Sequence, residues 1–206
     1  MTKNLLKTVL LTGICTLAFS SQAGVLLEPY LGYSKGDIDY KVADDLPLIG
    51  GTAFGGEIAG LSYGARLGWM FKPFFIAGEY QVTKGKQKLD TAATDTDWTN
   101  TTTYGILGLQ LDMGFRIYGG VSINHESVDE AEGGGETTYT GSAKKLGLGY
   151  RFSAPIALNA EYIMYDFDKY KTTGSSSVNR SEVYSKMDYN AVMLNLSFPF
   201  EVDGGR

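Results

Sequence analysis

The chain carries one histidine, and it stands in His125-Glu126-Ser127. An imidazole two residues from a hydroxyl, with a carboxylate such as Glu136 to orient it, is sufficient chemistry for ester hydrolysis. A second chemistry-bearing set is spread along the chain: Glu28, Arg66, Glu79, Arg116, Lys145, Arg151 and Glu161. Each sits in a segment where apolar residues alternate with small or polar ones, and each falls on the polar parity. Gathered into one interior, these three acids and four bases form either a paired, hydrogen-bonded plug or a narrow ion path whose charges rearrange. The plug is the expectation, because Tyr30, Tyr104, Tyr118 and Tyr165 add bulk on the same parity.

Such an interior needs strands to build it. In Leu61-Ser-Tyr-Gly-Ala-Arg-Leu-Gly-Trp69, one parity reads Leu61, Tyr63, Ala65, Leu67, Trp69 and the other Ser62, Gly64, Arg66, Gly68. A strand points these two sets to opposite faces. Nothing else in the chain can cover the greasy face, so its natural cover is lipid. Segments of this kind run at about 25–34, 57–70, 74–84, 101–111, 115–124, 138–152, 156–167 and 189–200. They predict an all-β fold, an eight-stranded antiparallel up-and-down transmembrane β-barrel. Connections after the second, fourth and sixth segments are short and the others long, the asymmetry of periplasmic turns and extracellular loops. Trp69, Phe71, Phe74, Phe115, Phe152 and Phe198 cluster beside the short turns as a periplasmic-side aromatic girdle. Tyr80, Tyr139 and Tyr162 lie towards the long connections and suggest the second band.

By the same parity His125 and Ser127 point outward, to lipid near the extracellular interface. That arrangement resembles the His-x-Ser of the PagL family, barrel enzymes that deacylate lipid A from their outer wall, and the resemblance implies a lipid A esterase at His125 and Ser127. Val128 stands where that family carries Asn, and an acidic loop from Asp129 to Glu136 follows at once. The expectation is therefore a non-enzymatic protein with no catalytic, cofactor or metal site.

The first residues read as an export signal. Lys3 and Lys7 precede an apolar run from Val9 to Phe19, then Ser21-Gln22-Ala23, so cleavage is expected after residue 23. That run falls short of the roughly 20 residues a helical span needs, and no later stretch approaches that length. The single cysteine, Cys15, lies inside the signal, which leaves residues 24–206 as one domain without a disulfide. The formal net charge of −5 becomes more negative when the signal lysines leave, which excludes nucleic acid as a partner. Residues 201–206 are expected to form a short disordered tail.

From Gly24 onward the chain resembles the small eight-stranded outer-membrane proteins: the OmpX/Ail family, the membrane domain of OmpA and the Opa-like surface antigens. The match rests on the cleavable signal, the eight alternating strands, the three tight turns, the interior Arg and Glu residues and the terminal strand Val192-Met-Leu-Asn-Leu-Ser-Phe-Pro-Phe200. That last segment is similar to the signal read by the barrel-assembly machinery, although here it continues through Glu201 to Arg206. The resemblance implies a monomer in a Gram-negative outer membrane, in contact with the lipid bilayer and lipopolysaccharide. It also implies an envelope, adhesion or host-resistance role, with a host or phage ligand at the loops. The alternative is a narrow pore or an OmpW-like conduit for small hydrophobic molecules, which would need an apolar interior.

Overall fold

Period-two alternation becomes wall strand throughout the computed structural model, which describes residues 24–44, 50–90, 94–130, 135–152 and 155–203. The long strands are β1 (Gly24–Val42), β2 (Ala53–Phe71), β3 (Phe74–Leu89), β4 (Thr96–Gln110), β5 (Phe115–Glu130), β6 (Glu136–Arg151) and β7 (Ala157–Thr172). A two-residue strand β8 (Val178–Asn179) precedes β9 (Tyr184–Ser197) and β10 (Phe200–Asp203). Each long strand pairs antiparallel with the next, and β9 pairs with both β7 and β1. The sheet thus closes on itself as an eight-stranded up-and-down barrel, with β9 and β10 together forming the eighth wall strand. The expected signal at 1–23 lies outside the described residues.

Towards its periplasmic end the closing seam is interrupted by prolines. Pro29 on β1 faces Phe198-Pro199, and neither proline has an N–H to give to the ladder. Phe198 N donates to Pro29 O at 2.9 Å across this gap. Beyond it the chain returns to the wall, with β10 pairing Phe200 to Leu27 and Asp203 to Gly24. The tail expected to be disordered is therefore paired strand through Asp203, because β1 starts low enough to offer it an edge.

The strands also run further towards the loops than the apolar alternation suggested. β1 and β2 stay paired up to Lys41 and Ala53, and β3 and β4 up to Gln87 and Thr96. Above the apolar band the pattern inverts. Outward positions carry exposed ion pairs, Lys35–Glu57 and Lys86–Asp97, both at 2.6 Å, while Ile38, Tyr40 and Ile58 face in. The period persists there, but the side facing water is polar, so the greasy face that marks a membrane strand disappears.

Within the band the outer wall is apolar: Leu67, Leu107, Ile117 and Leu146 are each more than half exposed. Trp69, Phe74, Phe115, Phe152 and Phe198 stand exposed on the outside near the short turns, and Phe71 is half-buried there. Tyr80 and Tyr162 are on the outer wall as well. Tyr139 is not: it shares the parity of Lys145 and is 4% exposed, inside the barrel.

Candidate functional site in the barrel interior

Cross-strand register builds the lower interior. Glu28 lies opposite Arg66, Arg66 opposite Glu79, and Glu79 opposite Tyr104, so four neighbouring strands deliver one row of polar side chains. Arg66 is its hub. Its Nε donates to Glu79 Oε2 at 2.6 Å, Nη1 to Glu28 Oε1 at 3.2 Å, and Nη2 to Tyr118 Oη at 3.2 Å and to Glu161 Oε1. Arg116 grips Glu28 with both terminal nitrogens, Nη1 at 2.9 Å from Oε2, and sends its Nε to Asn159 Oδ1 at 2.8 Å. Lys145 Nζ donates to Glu79 at 2.5 Å, Gln81 at 2.7 Å and Glu161 at 2.9 Å. Three carboxylates and three cations, all fully buried, thus share one network of zero formal charge.

Neutral groups complete it. Tyr30 Oη donates to Glu79 at 2.8 Å, Tyr118 Oη to Glu161 at 2.6 Å and Asn195 Nδ2 to Glu161 at 2.9 Å. The Arg66 guanidinium lies 4.7 Å from the Tyr118 ring centroid, and Lys145 Nζ lies 4.1 Å from that of Tyr104, the geometry of cation–π attraction. Glycine makes room for the rings. A Cβ on Gly147 would sit 2.2 Å from Tyr118, and one on Gly64 would sit 2.6 Å from Tyr30 Oη.

Six of the seven charges singled out from the sequence meet here. Arg151 does not join them; it pairs with Glu201 of β10 at the barrel floor, half-buried. Its partner lies in the segment whose composition reads as a tail, so sequence alone does not reveal the pair. Gln81, Asn159, Asn195 and Ser197 also belong to the network, and their inward parity was the signal that could have found them.

Towards the loops the interior changes character. Tyr165 stacks on Tyr189 with centroids 4.6 Å apart, Trp98 on Tyr139 at 5.6 Å and Tyr40 on Phe54 at 5.0 Å. The barrel interior is therefore charged below and aromatic above.

His125 and Ser127 belong to that upper interior, contrary to the outward placement expected. Both are buried, at 1% and 0% exposure. The cause is a bulge. Thr103 pairs with Asn124 but Tyr104 with Ser122, and on the other side the β5–β6 ladder stops at Val121 and resumes at Glu126. The extra residue leaves Ile123 and Asn124 both exposed, and every side chain after it changes face. Ser122 Oγ fills part of the gap by accepting from Ala143 N at 2.7 Å.

The hydrogen bonds around His125 fix its chemistry. Ser127 Oγ donates its one proton to Asn100 Oδ1, which also receives Trp98 Nε1 at 2.8 Å. Ser127 Oγ therefore accepts from His125 Nε2–H at 3.1 Å, and Nδ1 accepts from Thr102 Oγ1 at 2.8 Å. The imidazole is a donor towards the serine and cannot take its proton. Glu136 lies elsewhere, exposed and bonded to Thr138 and Thr173.

A family model described as outer membrane protein beta-barrel domain matches residues 8–200. The chain belongs to that family. Its place is accordingly the outer membrane of a Gram-negative bacterium, embedded in the lipid bilayer. Among solved structures, this outer-membrane barrel is similar to Ail, the attachment invasion locus protein of Yersinia pestis, solved with the heparin analogue sucrose octasulfate. The two share 13% identity and a TM-score of 0.53 over 86% of this chain and 99% of that one. It is also similar to the outer membrane protein OprG of Pseudomonas aeruginosa, with 13% identity and a TM-score of 0.51 over 88% and 98%. At such identities the likeness is one of fold. A search of curated proteins finds no match by sequence.

Proposed function

We propose that this protein is a non-enzymatic outer-membrane scaffold, sealed through its lumen, that serves envelope structure or surface interaction through its extracellular rim. The observation that carries the reading is the neutral network to which all eight wall strands contribute, from Glu28 on β1 to Asn195 on β9. Inside a low-dielectric interior such a network is held by mutual pairing, and moving any member strands another. The aromatic stack above it adds a second layer. The non-enzymatic part rests on Ser127, whose proton is committed to Asn100 and whose side chain lies away from lipid.

Strand extensions above the apolar band raise a stiff collar with exposed charges of both signs, the surface suited to a host or phage ligand. The same reading takes residues 1–23 as a cleaved signal, Val192–Phe200 as the segment read by the barrel-assembly machinery, and the protein as a monomer, since closure leaves no wall strand with a free edge.

Single-channel recording in planar bilayers tests the seal. Wild type and Glu79→Ala are both expected to be silent. Steady conductance that the substitution alters would overturn the plug and make the protein a small pore.

A further inference from the structure

On the lipid-facing wall, β3 to β6 carry an open furrow of about 970 Å³ between the side chains of Trp69 and Ile76 on one flank and Leu146 and Met164 on the other. Its floor is made by Gly78, Gly105 and Gly119. Gly78 pairs directly with Gly105, and Gly119 lies one outward position away, opposite Leu107.

These glycines differ from those beneath the interior tyrosines. A Cβ on Gly105 would meet nothing within 4 Å, and on Gly78 and Gly119 the nearest atoms lie at 3.9 and 3.7 Å. Neither packing inside the barrel nor a positive φ demands glycine there. Glycine weakens a strand, and in a strand interior it often marks a site of close approach by another molecule. On a wall otherwise covered by branched apolar side chains, its effect is a furrow wide enough for a hydrocarbon chain.

Lys144 closes the loop-side end of this furrow. It sits in the same ladder row as Gly105, opposite Val121 on one side and Met164 on the other, and it faces outward and exposed. No ion pair holds it among the described residues. Below it on the same face run Leu146 and Leu148; above it comes Ser142. The cation therefore stands where apolar wall gives way to polar wall, at the outer leaflet's interface.

We infer that the furrow seats an acyl chain of lipid A, with a lipid A phosphate on Lys144. An apolar slot capped by one cation fits an amphiphile with an anionic head, and the loop-side position of Lys144 selects the phosphate-bearing lipid of the outer leaflet. The inference rests on the membrane placement and is independent of whether the lumen is sealed.

Native mass spectrometry of the refolded full-length barrel, titrated with lipid A, dephosphorylated lipid A or phosphatidylglycerol, tests it. Wild type is expected to retain lipid A in preference to the other two. Gly105→Leu fills the slot and should weaken lipid A binding about tenfold, the loss of roughly two buried methylene groups. Lys144→Gln should bring lipid A down to the level of its dephosphorylated form, while Leu31→Phe on the distant β1 wall leaves all three unchanged. If Gly105→Leu loses its heat-modifiable gel migration, Lys144→Gln with the two lipid A forms decides. Equal retention of phosphatidylglycerol and lipid A by wild type, or lipid A binding untouched in Lys144→Gln, overturns the site.

Discussion

Arg66 shows how much one side chain can be asked to hold. It touches three carboxylates and a phenol, all buried, so Arg66→Ala leaves three buried carboxylates to two cations, Arg116 and Lys145. The expected cost is about 3–5 kcal/mol, read as a lower urea midpoint for unfolding from detergent micelles. Arg151→Ala removes one half-buried pair with Glu201 at the barrel floor, outside the buried network, and should cost about 1 kcal/mol in the same assay, well below Arg66→Ala. A third residue gives a pH test. Asp129 stands on β5 well above the lipid-facing band, and burial pushes its carboxyl up from the ordinary 3.8. The unfolded carboxyl loses its proton first, so the cost is absent below the ordinary value, grows as pH rises from there to the raised value and is complete above it. Asp129→Asn should therefore raise the melting temperature at pH 7 and leave it unchanged at pH 3, measured by differential scanning fluorimetry.

The elements were legible wherever one face meets lipid. Greasy parity located all eight wall strands and, through Glu28, Arg66, Glu79 and their inward companions, most of the charged layer. It failed at three places for one reason: the sequence shows composition, while pairing decides structure. The collar above the band keeps its period but swaps which face is apolar, so β1 looked finished near Ser34 when it runs to Val42. Glu201–Asp203 lack a hydrophobic pattern and are strand because β1 offers an edge. Unbroken parity through Ile123-Asn124 points His125 to lipid, and nothing in those residue types announces an extra one. Deleting Asn124 tests this account. The shortened β5 should still fold, with His125 inside, and the β5–β6 ladder should run without a gap. Amide exchange at Gly141 and Ala143 is expected to slow by up to about tenfold, the worth of a ladder hydrogen bond.

At the scale of the whole molecule, the neutral ion layer and the aromatic stack act on the same cylinder from within, while lipid holds it from without. If residues 1–23 are removed on export, the intact mass of protein taken from outer-membrane fractions will place Gly24 at the N-terminus; a mass that includes those residues contradicts the reading. The proline-broken seam between β1 and β9–β10 has its own consequence, and it concerns time. Every other neighbour in the wall is also a neighbour along the chain, joined by a turn or loop, so each hairpin can form from local encounters. The seam alone joins the two ends of the barrel, across the largest sequence separation in the wall, and contacts of that kind come slowly. Pro29 facing Phe198-Pro199 divides it into an upper run from Tyr30–Ser197 and a lower run from Leu27–Phe200. Closure is thus the slow contact of this wall and runs as two zippers of unequal length, a long upper one and a lower one only four pairs long, which makes the periplasmic end of the seam the last door of the barrel to shut and the first to open.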